Sequence, residues 1–515
     1  MTDLQTPPSL PATAAPSPPG ATPGERPGPA GDATARSQGG KRAGLALTTM
    51  VGMVVGSMVG AGVFSLPGRF AQETGVGGAL IAWAVAGTGM LMLALVFQRL
   101  AVRRPDLDSG VYAYAKAGFG QYTGFLSAIG FWASACVGNV TYWVLIMSTM
   151  GALWPALGAG DTLLAAVLST AGLWAFYFLV RRGVREAALL NRIVTAAKVV
   201  PILVFVVLAL FFFDPGVFAD NLGGAAYAGS LFDQVAGTML ITVFVFLGIE
   251  AASVYSRHAR RREDVGRATV LGFLGVFAVF ASVTIVSYGI MPMGEIAELR
   301  QPSMAGVLEH AVGPWGTAFV SAGLIVSVLG AYLAWTLMAA EVLHVAARND
   351  DMPRFLKRTA PGDVPTSALL MSTLLSQAVL VITMFSENAF NFALDLTSAL
   401  SLIPFLLAAG FAVRSALAAT TTQAPGPAPF GQRRAVQLVV PVAATLYSLF
   451  LLYAAGPGFL LLSFLLYAPA TALYVLARRE QGRRAFTRPE LVLCVLVVLG
   501  AAAAVLALAT GSIAL

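Results

Sequence analysis

Thirteen runs of apolar residues, each close to the roughly 20 that a helix needs to cross a bilayer, leave this chain few folds to choose from. They fall at about 45 to 72, 77 to 98, 121 to 151, 162 to 180, 189 to 213, 231 to 255, 268 to 291, 314 to 346, 366 to 385, 389 to 413, 436 to 455, 457 to 477 and 489 to 512. Charged residues make up only 11% of the 515 positions and hydrophobic ones 57%, whereas a soluble domain is about 25% charged. The chain reads as an all-α polytopic membrane protein. Residues 1–43 are rich in Pro, Ala, Gly, Ser and Thr without apolar periodicity, and read as a disordered cytoplasmic tail. No signal peptide is expected, because the first run begins only near Leu45 and no cleavage pattern follows it.

The placement of basic residues predicts an orientation. With the tail inside, all of the 32 Lys and Arg residues fall on the same side except Arg69, Lys198 and Arg300. Acidic residues such as Glu73, Asp161, Asp214, Glu298 and Asp395 dominate the opposite side. A miscounted run would scramble this alternation, so thirteen crossings place the C-terminus outside. The net charge of +7 is then an orientation signal that also suits anionic lipid, and nucleic acid is excluded as a partner. Cys136 and Cys494 both lie in apolar runs and the three histidines are scattered, so neither a disulfide framework nor a metal or cofactor is expected. An enzyme would need a clustered His, Asp or Cys constellation. A nutrient sensor would need a soluble domain to signal through, and a channel a charge ring or filter-like repeat.

Two spans carry interruptions. GMVVGSMVGAGVF, Gly52 to Phe64, holds four glycines with Ser57 and Ala61 among them. Backbone without hydrogen-bond partners is costly in lipid and survives only where it faces protein, ligand or a water-filled cavity. At a break, the exposed amide end of one half-helix attracts a carboxylate, and exposed carbonyls attract an ammonium. An amino acid carries both groups. Small residues spaced by four also let helices pack closely, and this segment alone leaves the two readings level. The sixth run contains VFVFLGIEAAS, Val243 to Ser253, where Gly248 and a small-residue run flank Glu250. Breaks five spans apart point to an inverted-repeat transporter with a midplane site. Three ionisable residues within spans are functional by default: Lys198, Glu250 and Glu341. Each has a plainer alternative. Glu250 can be a neutral, hydrogen-bonded carboxyl, Lys198 an amine snorkelling to the cytoplasmic face, and Glu341 a partner of His344 or Arg348.

The GSMVGAGVF and FLGIEAAS stretches, with AWTLMAAE of the eighth span, resemble the amino acid, polyamine and organocation superfamily, and within it the basic amino acid and polyamine antiporters. RPDLDSGVYAYAKAGFG (Arg104 to Gly120) and ASACVGNVTYW (Ala133 to Trp143) resemble arginine–ornithine antiporters in particular. The resemblance runs from about Leu45 to Arg414; beyond that the spans match only generically, and a thirteenth departs from the twelve of arginine–agmatine exchangers. It implies a LeuT-like fold of two inverted five-helix repeats, about 44–213 and 229–414, with spans 1 and 6 broken. A cytoplasmic linker, 415–435, and three peripheral helices, 436–515, would follow.

The resemblance also implies a site. Backbone around Met58, Ala61 and Gly62, with Ser57 beside it, would meet a substrate carboxylate, and carbonyls around Met58, Phe244 and Leu247 its ammonium. Trp335 matches an aromatic that lies against a guanidinium, a contact worth about 2 kcal/mol when desolvated. Ser134, Asn139, Thr397 and Ser398 would supply polar contacts to the side-chain tip. Phe244 stands where the family has a gating aromatic, here Phe rather than Trp. Lys198 resembles a span-5 lysine that takes the place of a sodium ion, so no sodium requirement is expected. Glu250 matches a proton-sensing carboxylate, and Glu341 joins these two as a gating candidate. The implied activity is exchange of basic amino acids across the cell membrane, arginine against ornithine or a related amine, by alternating access. Proton-coupled uniport or symport on the same scaffold is the alternative, and a homodimer is left open beside a monomer.

Overall fold

The computed structural model describes residues 47–104, 106–107, 110–183, 187–223, 229–250, 262–360, 363–421 and 434–513. The predicted tail, the 251–253 small-residue run and most of the 415–435 linker lie outside the described residues. The first run forms α1 (Leu47–Met58) and α2 (Leu66–Ala71), joined through a 3₁₀ turn at Gly62–Ser65 and bent by 51°. Then come α3 (Val76–Arg103), α4 (Val111–Phe119), α5 (Gln121–Gly151), α6 (Leu163–Arg181), α7 (Ala187–Phe211) and the short α8 (Pro215–Asp220). The sixth run forms α9 (Leu231–Gly237) and α10 (Met239–Phe246), followed by α11 (Arg262–Ser287). Two short helices, α12 (Met293–Glu298) and α13 (Ser303–Val312), lead into α14 (Pro314–Arg348), α15 (Thr366–Thr383) and α16 (Ala389–Thr421). The chain closes with α17 (Arg434–Ala454), α18 (Gly456–Glu480) and α19 (Arg488–Ala509).

Ten of the described helices are long and apolar enough to cross a membrane, and the bent α1–α2 pair makes an eleventh. Lys198–Phe211 of α7 and Leu231–Phe246 are shorter apolar stretches, standing where the fifth and sixth runs are. No β-strand occurs among the described residues; the only extended pairing is an isolated bridge, Ala360 with Val364. The protein is thus an all-helical, multi-pass membrane protein.

Helix α5 is the axis. The whole of its apolar window is buried, against 11% for α19, and α4, α14, α15 and α16 pack around it. Small residues make that crowding possible, since a Cβ on Gly138 would lie 3.3 Å from Thr397 of α16 and one on Gly124 would lie 2.5 Å from Lys116 of α4. A second cluster joins α2, α3, α10 and α11, where Trp83 stacks on Phe70 at 5.2 Å and meets Phe246 and Phe277 edge-on. Such offset and T-shaped pairs add to burial itself.

Helices α17 and α18 dock on this core through tyrosines that enter glycine notches. The Tyr447 ring takes the space a Cβ on Gly89 of α3 would need, and the Tyr467 hydroxyl does the same at Gly130 of α5. Helix α19 is fixed at its start by Glu490. This carboxylate closes a capping box with Thr487 and also accepts from the Tyr122 amide at 3.0 Å, so one side chain caps α19 and α5 together.

The three basic residues that break the charge alternation all have protein acceptors. Arg300 donates to the carbonyls of Ser148, at 2.7 Å, and of Gly158. Arg69 makes a buried pair with Asp395, and Lys198 donates to Gly56. Long cationic side chains held in this way act as structural ties between helices.

Candidate functional site

Helix α1 closes with the Val59 amide donating to the Val55 carbonyl at 2.9 Å. Carbonyls in the last turn of a helix have no intrahelical donors, and Lys198 Nζ supplies one to Gly56 at 3.0 Å. Helix α10 breaks at Leu247, whose φ of −56° and ψ of 137° leave the helical region. Gly248 follows at φ +101°, where a side chain would be strained.

The two breaks touch. A Cβ on Gly62 would lie 2.6 Å from Val245 Cγ1 and 2.7 Å from Phe244 Cδ1, and a Cβ on Gly248 would lie 2.4 Å from the Ser57 carbonyl oxygen. Glycine at 62 and 248 is what lets the backbones meet. The Ser57 hydroxyl spans the contact, donating toward Val54 O at 2.8 Å and Gly248 O at 3.1 Å. The Glu250 carboxylate accepts from the Gly248 amide, with both oxygens at 3.2 Å.

Beside this contact lies a small cavity, lined by residues of α1, α5, α10, α14 and α16 and of the turn that follows α1. Nine of the residues expected to contact a substrate line it: Ser57, Met58, Ala61, Gly62, Ser134, Phe244, Leu247, Trp335 and Thr397. Asn139 and Ser398 are elsewhere. Asn139 does not line the cavity, and its Nδ2 donates to Thr336 Oγ1 of α14 at 3.2 Å. Ser398 donates to the Leu240 carbonyl of α10 at 2.8 Å, tying α16 to the broken helix.

Glu341 is corrected. It is exposed on α14, whose buried face at that level runs through Thr336, Ala340, Leu343 and Ala347. Five residues past Thr336, it points well away from that face and from the cavity. It is neither buried nor among the residues that line the cavity.

Sequence reasoning missed other lining residues, among them Gly60, Gly138, Tyr142 and Val245. Ser134, Gly138 and Tyr142 stand four apart, so helical spacing would have placed all three on one face. The Tyr142 ring meets Phe244 edge-on at 6.4 Å. Also missed was the pair outside the cavity in which Arg69 Nη2 of α2 lies 2.9 Å from both carboxylate oxygens of Asp395 on α16. Its partners are 326 positions apart, and no local pattern links them.

The serine and threonine hydroxyls in the wall share one property. Ser134 donates to the Thr397 carbonyl at 2.7 Å, Thr397 to the Ala393 carbonyl at 2.7 Å, and Ser57 as described. Their hydrogens are committed to backbone, which leaves lone pairs for anything in the cavity. Guanidinium and ammonium groups are donors only, so this wall suits a cationic tip, and the Trp335 indole offers a π face for the same charge. Among the described residues no group of His, Cys, Asp and Glu is placed to hold a metal.

Two half-helices abutting at glycine breaks over an internal cavity define a broken-helix membrane transporter. The chain belongs to the amino acid permease family, whose profile matches residues 45–464. The match extends past Arg414, where the earlier resemblance faded, through α17 and into α18. Relatives are similar over most of their length. An arginine/ornithine antiporter of Pseudomonas aeruginosa is 44% identical, covering 92% of this chain and 98% of the relative. An L-lysine transport protein of Corynebacterium glutamicum is 39% identical over 92% and 96%, and an arginine/agmatine antiporter of Chlamydia pneumoniae 33% identical over 93% and 99%.

Proposed function

We propose that this chain exchanges basic amino acids across the cell membrane, arginine against ornithine or a related amine, by alternating access. The observation that carries the reading is a cavity wall in which Ser57, Ser134 and Thr397 spend their hydrogens on backbone carbonyls, with an indole, beside two broken helices. It is supported by the relatives named for arginine, ornithine, agmatine and lysine transport. In this reading the backbone at Met58, Ala61 and Gly62 receives the α-carboxylate, and the carbonyls about Phe244 and Leu247 receive the α-ammonium. Trp335 covers the cationic tip, while Ser134 and Thr397 accept hydrogen bonds from it.

The same reading treats residues 44–213 and 229–414 as inverted repeats that rock about this point. Lys198 braces α1 where sodium-coupled relatives would hold an ion, and Glu250 acts at the break of α10. The tail lies in the cytoplasm and the C-terminus outside. Exchange of arginine for ornithine, each carrying one positive charge, is electroneutral and needs no coupling ion.

The test is uptake of labelled arginine into proteoliposomes of the purified protein, loaded with ornithine, with lysine, or with buffer alone under an inward proton gradient. Uptake into ornithine-loaded vesicles and none into buffer-loaded ones is expected. Proton-driven uptake into buffer-loaded vesicles would replace exchange with symport. Uptake only against lysine would move the substrate assignment to lysine.

A further inference from the structure

Helix α16 carries Pro404 in its interior. Proline has no N–H, so the carbonyl four residues earlier, that of Leu400, loses its intrahelical donor. Within a bilayer no water can replace that donor, and the helix must find another. The Tyr467 hydroxyl of α18 lies 3.5 Å from Leu400 O and donates to it. Tyr467 is 1% exposed. It reaches Leu400 through a notch in a third helix, since a Cβ on Gly130 of α5 would lie 2.1 Å from the Tyr467 hydroxyl and 3.0 Å from Leu400 O.

Helices α5, α16 and α18 thus meet at one point. That point is one helical turn from the cavity on two of them. Leu400 is three residues past Thr397 and Gly130 is four before Ser134, the two wall residues joined by the Ser134 to Thr397 hydrogen bond.

We infer that Tyr467 is a positioning residue for transport: its hydroxyl replaces the donor removed by Pro404 and so holds α16 in the register that sets Thr397 against Ser134. A C-terminal helix without any cavity-lining residue thereby shapes the wall. The inference rests on the reading of that cavity as the substrate site.

The test compares Tyr467→Phe, Pro404→Ala and the double variant with the wild type. It uses exchange kinetics in proteoliposomes and hydrogen–deuterium exchange over residues 389–403 of the full-length protein. Loss of this hydrogen bond, one turn from the wall, should raise the apparent KM for arginine about three- to tenfold in Tyr467→Phe, and deuterium uptake in 389–403 should rise. Turnover should stay within about twofold, because neither variant changes a residue of α1 or α10. Alanine at 404 restores a backbone donor to Leu400, so in that background the further change to Phe should alter KM by less than about twofold.

Wild-type KM and deuterium uptake in Tyr467→Phe would overturn the inference, and so would an equal effect in both backgrounds. Should the wild type exchange no basic amino acid, the substrate reading falls, while deuterium uptake in the four proteins still decides the junction.

Discussion

Gly62 and Gly248 show how much a missing side chain can decide. Each stands where a Cβ would collide with the opposite broken helix, and Gly248 adds a left-handed backbone. Both stretches were visible in the sequence as glycine-rich interruptions, because a break in a membrane helix is a local property of the chain. That the breaks face each other was not visible. Trp335 is half-buried at the cavity, 6.4 Å from the Phe131 ring. Trp335→Leu should weaken arginine binding by roughly 10- to 30-fold, the loss of a desolvated cation–π contact, while leaving the melting temperature nearly unchanged. Calorimetric titration of the purified variant checks this, and wild-type affinity would remove the indole from the site. Asn139 carries the opposite lesson. The resemblance implied a substrate contact, whereas its Nδ2 donates to Thr336 of α14, a partnership that only the packing of two helices reveals.

At the scale of elements, the broken helices are held by cations that the charge count had marked as exceptions. Lys198 of α7 ties down the end of α1 through the Gly56 carbonyl. Lys198→Ala should therefore slow exchange, leaving α1 without its brace, and should not create a sodium requirement. Measuring rates with and without sodium checks both halves, and a normal rate would show that the contact is incidental. Arg69 and Asp395 tie α2 to α16 with side chains that are 8% and 12% exposed. Removing one member leaves the other buried and unpaired, so Asp395→Ala should destabilise the protein by about 3–5 kcal/mol, and Arg69→Leu with Asp395→Leu should regain most of it. Thermal unfolding in detergent reads the difference. The periodicity of α14 likewise leaves Glu341, at the inner end of an apolar run, exposed rather than buried.

For the whole molecule, the predicted orientation is open to direct test. A tag on the N-terminus should be reachable only from the cytoplasmic side, and one on the C-terminus only from outside; both tags on one side would mean an even number of crossings. Stability should carry a pH signature from the loop between α2 and α3. Burial holds the Glu73 carboxyl above its ordinary value of 4.5, with Arg69 opposing and Asp395 reinforcing the shift. A carboxyl raised in the folded state favours folding most below its unfolded value, and the contribution fades as pH climbs through the folded one. Glu73→Gln should accordingly flatten the melting temperature upward from pH about 4.5, where the wild type declines. A parallel decline in both proteins would assign the signature to other groups. The sequence by itself determined the apolar spans, their breaks and the glycines at them, because hydropathy over about 20 residues and backbone continuity are local quantities. Tertiary structure alone decided that Ser57 bridges to Gly248, that Ser134 spends its hydrogen on the Thr397 carbonyl, that Arg69 finds Asp395, and that Tyr467 answers the carbonyl freed by Pro404. Those contacts join residues from 67 to 326 positions apart, and only the packing of whole helices brings such partners within hydrogen-bonding distance.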